Sequence, residues 1–182
     1  MATTKVLGRG KVYAGEFTNV MATPPTEGNI TFIGNCPEVT LTAEQDILDH
    51  KDYTEGLRTI DDEVTLEARY NGTIATDHIS DDNIARLLSA TIVGGEIRAF
   101  TNVETRWLIR FVQNNAIGPN KIYQFNKVKL TAGGAFGLIA DDWQKITLNF
   151  KGFKDTDNFP NSPFITVYTT STTTTTTTTT TL

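Results

Sequence analysis

At 182 residues, with 38% hydrophobic and 20% charged, the chain is long enough for one domain with a real core and too short for two comfortable ones. No run of about 18 apolar residues is present to cross a bilayer as a helix, and residues 1–11, MATTKVLGRGK, lack an apolar leader core, so folding in the cytoplasm is expected. Cys36 is the only cysteine, which excludes an internal disulfide and thiolate metal sites. The net charge of −5 is unevenly spread: residues 38–82 hold thirteen acidic residues against Lys51, Arg58 and Arg69, whereas residues 121–154 hold six lysines against Asp141 and Asp142. That distribution is poor for gripping nucleic acid, whose phosphates must be neutralised, and it suits self-association between unlike surfaces.

In chain order, residues 11–17 (KVYAGEF) predict a first strand, with Tyr13 and Phe17 on one side and a weak middle at Gly15. A Pro24-Pro25 turn follows, and residues 29–34 and 38–42 then read as strands, the second with Val39 and Leu41 inward. Residues 43–60 (AEQDILDHKDYTEGLRTI) show neither helical nor strand period and predict a long charged inter-strand loop. An extended hairpin that leaves the body and finds order against a neighbouring chain is the second expectation for this segment. Residues 62–70 (DEVTLEARY) predict a strand with Val64, Leu66, Ala68 and Tyr70 on a buried face and Glu63, Thr65, Glu67 and Arg69 on a wet one. Asn71-Gly72 signals a hairpin turn, with residues 73–76 returning antiparallel.

Residues 80–90 (SDDNIARLLSA) predict the one helix. Ser80 is placed to cap it, Asp81 and Asp82 favour the positive end of its dipole, and Ile84, Leu87, Leu88 and Thr91 share one face. Gly94-Gly95 closes the segment. Strands are then expected at 96–102, 105–113, 121–130 and 143–153; the third slips out of alternation near Asn126, as a bulge would make it, and the last alternates strictly through Ile146, Leu148 and Phe150. The division expected is a β-domain over residues 1–155 and an arm over 156–182, in which residues 162–170 can pair as a last strand ahead of an unbroken threonine tract.

No chemistry stands out. His50 and His78 have no second histidine at ligand spacing, and Asp155-Thr156-Asp157-Asn158 opens like a calcium loop but meets Pro160 and Thr166 where glycine and glutamate are required. No serine or cysteine sits in a nucleophile context, and the glycine-rich stretches lack the flanks of a phosphate loop. The chain is therefore read as a non-enzyme, with no catalytic, cofactor or metal site, and with binding or construction as its use.

Four segments taken together, residues 32–42 (FIGNCPEVTLT), 48–50 (LDH), 64–67 (VTLE) and 76–85 (TDHISDDNIA), resemble the tail tube proteins of long-tailed bacteriophages, in particular Mu-like siphophages, which are similar in fold to type VI secretion tube proteins. The likeness spans roughly residues 8–155. It implies a mainly β fold of two packed antiparallel sheets, sandwich- or barrel-like, with one flanking helix, assembled as hexameric rings that stack into a tube for DNA ejection in the virion tail. By that resemblance the segment holding Asp46, Ile47, Leu48, Asp49, His50, Tyr53 and Leu57 reaches a neighbouring subunit. Ile84, Leu87 and Leu88 serve packing or a subunit seam, and Glu63 and Glu67 are candidates to face an acidic lumen through which DNA slides. The partners implied are further copies of the chain, a tape measure protein, tail terminator and tip proteins, and DNA in non-specific passage. The competing expectation is a carbohydrate-binding or adhesin-like β-sandwich with an aromatic patch drawn from Tyr53, Trp107 or Trp143.

Overall fold

The computed structural model describes residues 10–18, 23–52, 59–114, 120–137 and 144–170. Among the described residues ten strands, one 3-10 turn (Glu27–Asn29, between β1 and β2) and one short α-helix follow one another: β1 (Gly10–Glu16), β2 (Ile30–Gly34), β3 (Glu38–Asp52), β4 (Thr59–Thr76), α1 (Asp81–Leu87), β5 (Thr91–Val93), β6 (Glu96–Arg98), β7 (Trp107–Gln113), β8 (Asn120–Ala132), β9 (Ile146–Gly152) and β10 (Ile165–Thr170). The fold is mainly β and antiparallel, as expected. The path β2-β1-β7-β8-β9-β4-β3 forms one sheet that folds over on itself, β10 pairs with β8 off this path, and β5-β6 makes a separate hairpin.

The fold-over happens at β8. Its first half, Asn120 to Phe125, carries β10 on one edge and β7 on the other, whereas Val128 to Ala132 pairs with β9. Between the halves three steps of β8 face two of β7 (Phe125↔Ile109, Val128↔Trp107), the bulge that the slipped alternation at Asn126 predicts. The side chain of Asn126 is fully buried there and supplies what the interrupted ladder lacks. Its amide donates to the Ser162 carbonyl and to Thr166 Oγ1, and its backbone N–H donates to the Phe164 carbonyl at 3.0 Å. Residues 162–170 are thereby tied onto the body.

Between the two halves of the sheet lie Val12, Ile33, Ile74, Ile109, Val128, Ile146, Leu148 and Phe150, all buried, with Tyr70 against Phe125, Phe150 and Phe164 at centroid distances of 5.7, 6.4 and 6.2 Å. Asn71-Gly72 is not a turn: β4 runs unbroken through it, pairing with β3 on one side and β9 on the other. Glycine is needed at 72 for approach, because a Cβ there would stand 2.2 Å from Phe150 Cζ and from the Thr40 carbonyl oxygen. The helix is also shorter than expected. Ser89 adopts φ 46, which ends it at Leu87, and Thr91 begins β5; Gly94 and Gly95, at φ 62 and 83, turn the β5-β6 hairpin.

Candidate assembly surface

The segment expected to be a loop is a ribbon. β3 continues through Asp52 and pairs with β4 along its whole length, while β4 pairs with β9 only over Asn71 to Thr76. From Ala43 and Tyr70 outward the two strands have no third strand among the described residues. At about 3.3 Å per residue the free ribbon reaches roughly 30 Å from the body. The paired strands of an extended hairpin, part of the second expectation for residues 43–60, are what the structure shows; residues 53–58, including Tyr53 and Leu57, lie outside the described residues.

The face expected to be buried is buried only at its root. Tyr70 is in the core, but Val64 and Leu66 are 55% and 61% exposed, with Ile47 at 43% and Leu48 at 58%. Register explains why the simple two-face reading fails. Asp46 opposes Glu67 and Ile47 opposes Thr65, so Leu66 has no opposite number and the faces of β4 exchange at that step. One ribbon face then carries the pairs Glu44↔Arg69, Asp46↔Glu67 and Leu48↔Val64; the other carries Gln45↔Ala68, Ile47↔Thr65 and Asp49↔Glu63. Glu63 and Glu67, expected side by side, project from opposite faces. His50 belongs to β3 opposite Asp62, its side chain lying outside the described set.

Like charges thus stand directly across the strands at two steps, an arrangement that disfavours pairing by about 0.2–1 kcal/mol each. Arg69 relieves one of them. Its Nε donates to Glu44 at 2.8 Å and its Nη1 lies 3.7 Å from Glu67, and these carboxylates hold its pKa above the ordinary arginine value. Asp49 and Glu63 have no such cation among the described residues.

Helix α1 rests on the body as its N-cap predicts: the Ser80 hydroxyl accepts from the Asn83 N–H at 3.3 Å. Leu87 joins the core cluster and Ile84 packs against it, while Leu88 is half-buried at the helix C-terminus. What the sequence did not disclose is a buried polar pair on the same helix. Asn83, fully buried, donates to the carbonyls of Ile33 (2.7 Å) and His78 (2.8 Å), and its Oδ1 accepts from Arg86 Nη1 at 2.7 Å. Arg86 also donates to Thr31 Oγ1 at 3.0 Å and stacks 5.3 Å from the Trp107 ring, beside a cavity of about 440 Å³ that Glu16, Asp82 and Asn102 also line. Burial pushes its pKa down, Asp82 and Glu16 oppose that, and Nε finds no hydrogen-bond partner among the described residues. Three-residue spacing of Asn and Arg on a helix that must dock was the available signal. Next to the helix end, Ile92, Val93 and Phe100 leave 42%, 49% and 73% of their surface open.

Of the aromatics proposed for a sugar patch, Trp107 is partly buried against the core and under Arg86, and Trp143 and Tyr53 lie outside the described residues. Among the described residues no group of three or more His, Cys, Asp or Glu is placed to hold a metal, and no helix is long and apolar enough to cross a membrane. What the geometry offers is a surface: an apolar, acidic ribbon, an edge of β3 with no further strand among the described residues, and a half-covered helix end.

This sheet architecture with its flanking helix is shared with a chain in the cryo-EM structure of the anti-feeding prophage (AFP) baseplate, six-fold symmetrised, at a TM-score of 0.50 and 10% identity over 92% of this chain and 97% of that chain. The chain belongs to the family described as Protein of unknown function UCP028589, whose model matches residues 5–104, more than half of its length and the part that holds the ribbon and the helix. No curated protein matches the chain in sequence.

Proposed function

We propose that this chain is a structural virion protein that polymerises as stacked hexameric rings into a phage tail tube, the conduit for DNA during ejection. The ribbon carries the argument. A two-stranded ribbon with apolar side chains open on both faces and opposed carboxylates is at best marginal alone, and it serves no purpose in an isolated subunit. Burial against another copy gives it one. The edge of β3, which has no strand beyond it among the described residues, points the same way, since a subunit that stays single has to blunt its edges. The fold shared with a chain of a six-fold baseplate, and the resemblance of residues 8–155 to tail tube proteins, support this class of assembly.

In this reading the half-buried Leu88 with Ile84 and the neighbouring β5-β6 hairpin form a seam between subunits, while Leu87, buried in the subunit's own core, serves packing alone. The face carrying Asp49 and Glu63 looks into the lumen, where carboxylates repel the DNA backbone and let it slide. Tape measure, terminator and tip proteins are the partners at the ends and within the bore. Sedimentation of the full chain over a range of concentrations tests this: large species that are whole multiples of one ring are expected, lengthening as concentration rises. A 20.0 kDa particle at every concentration up to the millimolar range refutes it.

A further inference from the structure

At the open end of the sandwich, between β3 and the β7-β8 pair, an apolar groove of about 180 Å³ is lined chiefly by Val39, Leu41, Phe111, Tyr123 and Phe125. Leu41 is 45% exposed, so the groove is a gap in the core that faces solvent. Lys121 continues the row of Tyr123 and Phe125 on the same face of β8 and stands exposed at the rim, where its backbone N–H is held by Gln113 Oε1 at 3.1 Å. No carboxylate pairs with the Lys121 side chain among the described residues.

We propose that this groove receives the ribbon of a second copy, with the Leu48–Val64 pair entering the apolar floor and Asp46 meeting Lys121 at the rim. The occupant is set by three observations. The chain cannot fill its own groove: Val39 and Leu41 are both groove wall and ribbon root, and the ladder runs from there in continuous register out to Asp46 opposite Glu67, so the Leu48–Val64 pair beyond that step is carried away from the groove. The ribbon presents a matched pair of apolar side chains on a single face, Leu48 directly across from Val64, as a groove one strand pair wide requires. Charge is complementary, because that same face bears Asp46 and Glu67 with only Arg69 against them, and the groove rim bears a lysine. The contact is heterologous, ribbon to groove, so each copy still offers both halves and association propagates until a ring closes or a filament forms. The proposal rests on the self-assembly reading above and names its contact.

Disulfide trapping in the full chain tests it. In a Cys36→Ser background, Leu48→Cys combined with Gln113→Cys, another residue lining the groove, should give under mild oxidation a ladder of covalent dimers, trimers and higher species. Mixing the two single-cysteine chains should give dimers alone. Lys121→Glu should raise the concentration needed for assembly at least tenfold, and adding Asp46→Lys in the same chain should recover most of it; melting curves establish that each variant is folded. Assemblies seen by electron microscopy without any 48–113 cross-link, or a Lys121→Glu chain that assembles as before, overturn the groove contact alone. A folded chain that remains a monomer throughout overturns the function reading with it.

Discussion

The double substitution Leu48→Ala, Val64→Ala separates a ribbon that serves assembly from one that serves folding. In the single subunit these side chains are 58% and 55% exposed. Burying a Leu or Val fully is worth about 1.5–3 kcal/mol, so covering the half that remains open yields about 1 kcal/mol for each. Truncating both removes roughly 2 kcal/mol from each subunit contact and, at about 1.4 kcal/mol per tenfold, raises the concentration for half-assembly roughly thirtyfold. The dispersed subunit should hardly notice, with a melting temperature within about 2 °C of the parent chain, as for surface substitutions generally. Ile74→Ala, in the fully buried core, should instead cost about 2–5 kcal/mol of folding stability. Sedimentation or light scattering reads the first quantity and calorimetry the second. An unchanged assembly threshold, or a melting temperature lowered by more than about 6 °C, would refute the reasoning.

Three other outcomes follow from the packing. In Gly152→Ala the new Cβ would stand 2.0 Å from Cε1 and Cζ of Tyr70; overpacking of this kind costs about 1–3 kcal/mol, and a melting temperature equal to the parent's would count against the aromatic cluster as drawn. Asn83→Ala strips partners from the buried carbonyl of Ile33, the part-buried carbonyl of His78 and Arg86, so chemical denaturation should show a loss of at least about 2 kcal/mol; a smaller loss would mean that water replaces the amide. Burial pushes the Cys36 thiol up to about 11, with the Asp77 charge adding to it and a Thr76 hydrogen bond opposing it. The folded pKa lies above the unfolded value of 9.0, so the stability this thiol contributes is complete below pH 9 and lost as pH rises toward 11. Alkylation of the native chain at pH 8 should run roughly a hundredfold slower than in urea and still be rising tenfold per unit at pH 10; equal rates in the two states would contradict the burial.

Elements with one buried face were legible in the sequence. β9 alternates in sequence and in burial alike, Ile146, Leu148 and Phe150 inward against Thr147, Asn149 and Lys151, and the helix N-cap is local chemistry that needs no tertiary context. The bulge at Asn126 appeared as a slip in period because the strand changes partners there. The ribbon was not legible as strand over residues 43–52: it buries neither face in the subunit, so nothing selects an alternating pattern, and the exchange of faces at Leu66 scrambles what remains. Asn71-Gly72 misled for a different reason, since a glycine required for the approach of Phe150 looks the same as one required for a turn. Arg86 and Asn83 carry no apolar signal, only their three-residue spacing on the helix, and their burial follows from where β2 and the residues around His78 place carbonyls that Asn83 can bond. The hairpin over residues 43–60 was thus legible only as a second expectation, and the step at which its faces exchange was not legible at all.

Electron microscopy of the purified full-length chain at high concentration tests the central claim most directly. The account predicts rings with an open centre, stacked into tubes of uniform width. Fields containing only dispersed single subunits, under conditions in which the chain is folded, would contradict it.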